Sequence, residues 1–199
     1  MSAKTPIIYL ARHGETEWTL SGQHTGLTDL PLTENGETEG LLLRARLAGI
    51  KPEKVYTSPL IRASRTCELA GFKDIAEVDP DLVEWDYGDY EGLRSSEIDQ
   101  ISPGWNLFRD GVPNGETVAQ ITARADRVVA RLRTATGDQL LFSSGHFTRV
   151  LAARWIGVEI HPYCNGYLLS TASLSAVGYK NSFDRPVIRL WNDVHHLEG

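Results

Sequence analysis

Arg12 and His13 stand side by side directly after a short apolar run, "PIIYLA" (6–11), and two later stretches repeat that design. "VYT" (55–57) leads into Ser58-Pro59 and Arg62, and "QLLFSS" (139–144) leads into Gly145-His146. Two guanidinium forks and two imidazoles suit one kind of ligand. A phosphate monoester carries about 1.5 to 2 negative charges near neutral pH and offers several acceptor oxygens. Arginine can bond two of those oxygens at once, which fixes orientation as well as charge. Histidine adds a lone pair, so a neutral imidazole can attack phosphorus and hold the phosphoryl group covalently. What remains to be supplied is a proton for the departing alkoxide and a base for the following water, and one carboxyl group can serve both steps in turn. The stretch "DLVEWDYGDYEG" (81–92) offers Glu84 as the candidate, with Asp81, Asp86, Asp89 and Glu91 crowding the same segment.

These residues need elements to bring them together. "PIIYLA" is short, apolar and ends abruptly at charge, which predicts a buried strand with His13 at its carboxyl end. From Thr33, "TENGETEGLLLRARLAG" has a capping threonine, early acids, late arginines and Gly49 as a stop, the pattern of a helix. "VYT" reads as a second strand, with Ser58-Pro59 starting a helix that ends at Gly71 and carries Arg62 in its first turn. Residues 116–135 place Val118, Ile121, Ala125, Val128, Val129 and Leu132 on one helical face. Residues 139–157 repeat strand, tight turn and helix, and "ASLSAVGY" and "PVIRLWN" read as two late strands. Strand followed by helix three times predicts an α/β fold, a three-layer αβα sandwich around a mostly parallel central sheet. Sites in such sheets gather at the carboxyl ends of strands, where Arg12-His13, Arg62 and His146 all fall.

The length of 199 residues fits one domain spanning 1–199. A formal net charge of -6 argues against a nucleic-acid partner, because such proteins usually carry a basic excess. No apolar run approaches the roughly 20 residues that span a bilayer, and no signal-like segment opens the chain. The expectation is a cytoplasmic protein without membrane attachment. Cys67 and Cys164 have no metal-site or disulfide spacing, and neither is followed six residues later by arginine as a cysteine-phosphatase loop requires. "VDPDLV" (78–83) fits the DxDx[TV] pattern of magnesium-dependent phosphatases whose nucleophile would be Asp79, but no matching downstream acids accompany it.

The blocks "RHGETEW", "TSPLIRASRT", "EWDYGDYEG" and "SGHFTRV" together resemble the histidine phosphatase superfamily, whose fold is that of the phosphoglycerate mutases. The resemblance implies that His13 is the phosphorylated nucleophile, that Arg12, Arg62 and His146 bind the phosphate, and that Glu84 is the proton donor. It implies no cofactor and no metal. Within the superfamily, "SGQHTGLTDLPLT", "EWDYGDYEG" and "WNLFRDGVPNGET" are most similar to the fungal sedoheptulose-1,7-bisphosphatase branch. Thr19 stands where mutases carry an asparagine, and the stretch between Glu84 and Gly115 is short and supplies Arg94 and Arg109 singly. The short stretch favours water over a second sugar as the acceptor. The resemblance thus implies a metal-independent phosphomonoesterase for a small phosphorylated metabolite, a sugar phosphate or bisphosphate. The alternatives are mutase-type transfer and a non-catalytic phospho-ligand binder on the same fold.

Gln23, His24 and Thr25 lie in the loop after the nucleophile and are candidate substrate contacts, with the Thr25 and Gly26 backbone amides available to oxygens. Arg109 and Arg149 are candidate second-phosphate contacts, balanced against a surface role. Trp18, Trp85 and Trp105 are candidates for covering a sugar face or for packing. His195-His196 is read as an exposed tail.

Overall fold

The computed structural model describes residues 5–198; residues 1–4 and 199, the ends of the expected single domain, lie outside them. The elements run β1 (Ile8–Arg12), α1 (Glu17–Ser21), α2 (Glu34–Leu47), β2 (Lys54–Thr57), α3 (Ile61–Leu69), β3 (Ala76–Val78), α4 (Ser95–Ile101), α5 (Leu107–Asp110), α6 (Val118–Arg133), β4 (Gln139–Ser143), α7 (Gly145–Trp155), β5 (Leu174–Tyr179) and β6 (Pro186–Asp193). Six strands form one sheet in the order β3-β2-β4-β1-β5-β6. Strands β3, β2, β4 and β1 pair in parallel, whereas β5 runs antiparallel to both β1 and β6. The sheet is therefore mostly parallel and flanked by helices, as expected for an α/β fold.

Side-chain alternation along the strands builds a core on each face. Ile8 and Leu10 of β1 and Leu141 of β4 join the cluster beneath α6 and α7, which includes Val128, Leu132, Val150 and Leu151. Ala11, Leu140 and Phe142 face the other way, onto Leu43 and Leu47 of α2 and Cys67 of α3. All five residues of β4 are buried, the mark of a central strand covered on both sides. The apolar stripe of α6 follows the expected face, with Ile121, Ala125, Val128 and Leu132 buried. Truncating such a residue to alanine typically costs about 2–5 kcal/mol.

Helix starts follow side-chain chemistry where it is present. Thr33 caps α2 through Gly36 N–H, and Thr117 caps α6 in a reciprocal box with Gln120. The helix expected from Ser58-Pro59 instead begins at Ile61 without a side-chain cap. Ser58 still donates its N–H to the Phe142 carbonyl, so the chain leaves the sheet later than the Ser-Pro signal suggests. The tail is also less free than expected. His195 is exposed, but His196 donates from Nε2 to the Ala172 carbonyl at 3.0 Å. Among the described residues no helix is long and apolar enough to cross a membrane.

Candidate active site

His13 follows the last residue of β1 and is 3% exposed. Its N–H donates to Ser143 of β4 at 3.0 Å, and its carbonyl accepts from Ala172 N–H at 3.0 Å, so the backbone is fixed between two neighbouring segments. Gly14 then presses against Gly36 of α2, where a Cβ on Gly14 would stand 2.4 Å from the Gly36 carbonyl oxygen. Only glycine permits helix and turn to approach so closely. The imidazole is equally fixed, because Nδ1 lies 2.7 Å from the Gly14 carbonyl oxygen. A carbonyl can only accept, so Nδ1 carries the hydrogen and Nε2 keeps its lone pair. Burial, with the Arg62 and Arg12 charges adding to it, holds the His13 pKa well below the ordinary imidazole value. The side chain is thus a neutral, oriented base.

Arg12 donates from Nη1 to the Leu169 carbonyl, and its guanidinium lies against Gly145, whose missing side chain gives it room. Glu84 reaches the same place from a segment without regular secondary structure. Its carboxylate sits at the amino end of α7, where Oε1 accepts from Trp85 N–H at 2.9 Å and Phe147 N–H at 2.8 Å, and Oε2 accepts from His146 N–H at 2.9 Å. These bonds fix the carboxyl group's direction and use N–H groups that the first turn of the helix leaves without partners.

His146 is positioned by Tyr87, a residue of the "EWDYGDYEG" block that has no chemical signature of its own in the sequence. The Tyr87 hydroxyl lies 2.5 Å from His146 Nδ1. Burial above all, with Glu84 nearby, pushes the Tyr87 phenol well above its usual range, so it keeps its proton. Among the described residues its hydroxyl has no other acceptor, so the phenol donates to Nδ1 and His146 carries its own hydrogen on Nε2. Burial, followed by the Arg149 charge, also drives the His146 pKa well below normal. His146 is a neutral hydrogen-bond donor beside a neutral base.

Arg12, His13, Glu84, Tyr87, His146 and Arg149 line a pocket of about 670 Å³, together with Thr19, Gln23, His24 and Thr25. Trp18, Trp105, Ser95, Ser96, Asp99 and Asn165 also line it. Arg149 Nε is buried without a partner among the described residues. Burial lowers the Arg149 pKa, opposed by Glu84. His24 donates from Nδ1 to the Leu93 carbonyl at 2.9 Å and meets Tyr87 and Trp105 edge-on. Among the described residues no cluster of three or more His, Cys, Asp or Glu side chains is placed to hold a metal ion.

Several expected contacts stand differently. Arg62 is fully buried, yet it does not line the pocket; it donates to the carbonyls of Thr28 at 2.9 Å and Gly26 at 2.7 Å, leaving Nε unpartnered. Its charge nevertheless acts on His13, helping to lower the imidazole pKa. The Gly26 N–H is not open to substrate, because the Glu91 carboxylate accepts it at 2.8 Å. Arg109 is exposed and stays out of the pocket, bound to Asp110 and the Gly104 carbonyl at 2.7 Å. A partner one residue away and a nearby carbonyl hold it on the surface. Thr19 lines the pocket, but its hydroxyl donates to Thr16 and accepts from Thr16 N–H, closing the cap of α1. The Gln23 amide likewise bonds Gly92 and Ser21. Trp85 packs in the core and donates to the Glu116 carbonyl. Asp79 pairs with Arg131 and caps a short turn through Asp81 N–H, so its carboxylate is already engaged.

With this geometry in view, the sequence profile of the histidine phosphatase superfamily (branch 1) matches residues 8–194. Sedoheptulose 1,7-bisphosphatase of Saccharomyces cerevisiae is 37% identical over 82% of this chain and 72% of its own length. An acid phosphatase of Mycobacterium tuberculosis is 37% identical over 91% of this chain and 90% of its own. The solved structure of the Mycobacterium tuberculosis open reading frame Rv3214 superposes with a TM-score of 0.89 at 35% identity, covering 95% of this chain and 98% of that one.

Proposed function

Because the chain belongs to the histidine phosphatase superfamily, we propose that it is a metal-independent phosphomonoesterase working through phospho-His13. The observation that carries this reading is the His13 imidazole, neutral by burial and turned by the Gly14 carbonyl so that Nε2 holds its lone pair.

In the first step His13 Nε2 attacks phosphorus, the bond from phosphorus to the bridging oxygen breaks, and Glu84, which enters the step as the carboxylic acid, gives that oxygen its proton and becomes the carboxylate. In the second step a water oxygen attacks phosphorus, Glu84 takes its proton, and the phosphorus–nitrogen bond breaks. Inorganic phosphate leaves and His13 is neutral again. Arg12 and the Nε2–H of His146 hold the oxygens of the transferring group, whose spread charge makes positioning and electrostatics the main requirement. Arg62 adds positive field and ties down the 25–28 loop.

The substrate of this reading is a small phosphorylated metabolite, a sugar phosphate or bisphosphate. The yeast relative is named for a sugar bisphosphate. Trp18 and Trp105 offer ring faces to a sugar, Ser95, Ser96 and Asn165 offer partners for hydroxyls, and the unpartnered Arg149 offers a cation to a second anionic group.

The test is phosphate release from sedoheptulose and fructose bisphosphates, 3-phosphoglycerate and simple monoesters, with and without EDTA, alongside trapping of ³²P-labelled protein in a denaturing alkaline quench, which preserves the acid-labile phosphorus–nitrogen bond. We expect EDTA-resistant turnover and label on His13 that His13→Ala abolishes. Label retained on another residue overturns the mechanism, and strict loss in EDTA redirects it to Asp79 and a metal.

A further inference from the structure

Glu84 lies in a stretch, 83–87, with neither helix nor strand, so no backbone ladder of its own fixes the main chain that carries its carboxyl group. What holds that stretch is a buried guanidinium on α6. Arg124 is 7% exposed and all five of its N–H donors are used. Nη1 donates to the carbonyls of Asp81 at 2.9 Å and Val83 at 2.7 Å, and Nη2 donates to the carbonyl of Glu84 itself at 3.2 Å. The remaining donors make a two-point pair with Glu116, at 2.8 Å from Nε and 2.6 Å from Nη2.

Glu116 extends the grip. Its N–H donates to the Asp86 carbonyl at 2.9 Å, and its carbonyl accepts from Trp85 Nε1 at 2.6 Å. Arg124 also lies 4.5 Å over the ring of Phe147, the residue whose N–H binds Glu84 Oε1. One ion pair therefore touches both the backbone that carries Glu84 and the residue that receives its carboxylate.

We propose that Arg124, braced by Glu116, is a positioning residue for the proton transfer made by Glu84, which rests on the reading of Glu84 as the acid. A planar fork is required, since a lysine ammonium is a single point charge that cannot span three carbonyls and a carboxylate. A guanidinium serving stability alone would affect all substrates alike. One serving proton transfer matters only where the leaving oxygen needs a proton.

The experiment compares kcat/KM, which covers the steps up to departure of the leaving group, for an alkyl phosphate and for p-nitrophenyl phosphate. Arg124→Lys and Glu116→Gln are measured beside Glu84→Gln. Positioned acid–base groups contribute about 10²- to 10⁴-fold, so we expect Arg124→Lys to lose at least about tenfold more on the alkyl phosphate than on the aryl one, in the same direction as Glu84→Gln. Glu116→Gln, nearly isosteric, should show a smaller loss of the same kind and carries the test should Arg124→Lys not fold. Equal losses on both substrates in the folded variants, with discrimination kept in Glu84→Gln, overturn the positioning role alone. No discrimination in Glu84→Gln overturns the acid assignment and this inference with it.

Discussion

The two ends of the pocket are built differently. At its base, His13 follows β1, His146 stands in the first turn of α7 and Glu84 binds three N–H groups, so each reacting group is aimed by backbone atoms. His13 and Glu84 are 3% and 4% exposed. At the mouth, Ser95, Ser96 and Asp99 are exposed on the short α4, and Trp18 comes from the short α1. Arg94, next to Ser95, is engaged on the Ser21 carbonyl, and Arg109 on Asp110. A base set by the sheet can keep bond-breaking geometry constant while a mouth of loops and short helices changes what is admitted.

Tyr87→Phe should break this division if it is wrong. Phenylalanine keeps the ring volume but removes the proton donated to His146 Nδ1, freeing the imidazole to change tautomer or turn away. Small misplacements of catalytic groups can cost on the order of 10²-fold, so we expect kcat to fall by about 10- to 100-fold with little change in KM. Steady-state kinetics on a sugar phosphate check this. A rise in KM with kcat unchanged would move His146 from the phosphate end to the group that selects substrates.

Acid pH sharpens the same contrast. His13 and His146 have folded pKa values depressed by burial below the ordinary imidazole value of 6.5, so below that pH the unfolded chain binds protons the folded chain refuses. Stability is therefore present above 6.5 and is lost as pH falls toward the folded values, by about 1.4 kcal/mol per pH unit for each such histidine. Urea unfolding at stepped pH measures the slope, and His13→Ala should reduce it by one histidine's share. The same depression keeps the nucleophile neutral in acid. The acid limb of kcat/KM should consequently lie below 6.5 wherever the protein stays folded, and a limb at 6.5 would contradict the buried, neutral imidazole.

How much of this is legible in the sequence follows the same line. Arg12 and His13 announce themselves at the end of one apolar strand and His146 three residues beyond another, and strand ends converge in a sheet with parallel order β2-β4-β1. Glu84 was only one acid among five until the family resemblance singled it out; its distinction is the amino end of α7, 62 residues away. Tyr87 and Arg124 carried no signal, since a tyrosine and a helical arginine acquire meaning only from the atoms they meet. The misplaced expectations share a cause. Gly26, Thr19 and Arg109 have groups able to bind substrate, but Glu91, Thr16 and Asp110 already bind them. Edge strand β3 and the short α1, α4 and α5 escape periodicity because few residues report it.

The smallest effect should come from the mouth. Asp99 is exposed in the pocket wall, and its Oδ1 accepts from Gly104 N–H at 2.9 Å, a bond an asparagine oxygen can keep. Asp99→Asn therefore removes a charge without removing the local turn. Exposed charge interactions are worth about 0.2–1 kcal/mol, so KM for a bisphosphorylated sugar should fall by about two- to fivefold, and less so for a monophosphate. Added salt should shrink the difference, because the charge sits in solvent. If kcat instead changes as much as KM, the negative mouth is felt at phosphorus, and the base is less insulated from the loops than its buried backbone bonds imply. If only KM moves, and chiefly for the doubly phosphorylated substrate, the mouth reads the leaving group while His13, Glu84 and His146 stay indifferent to it.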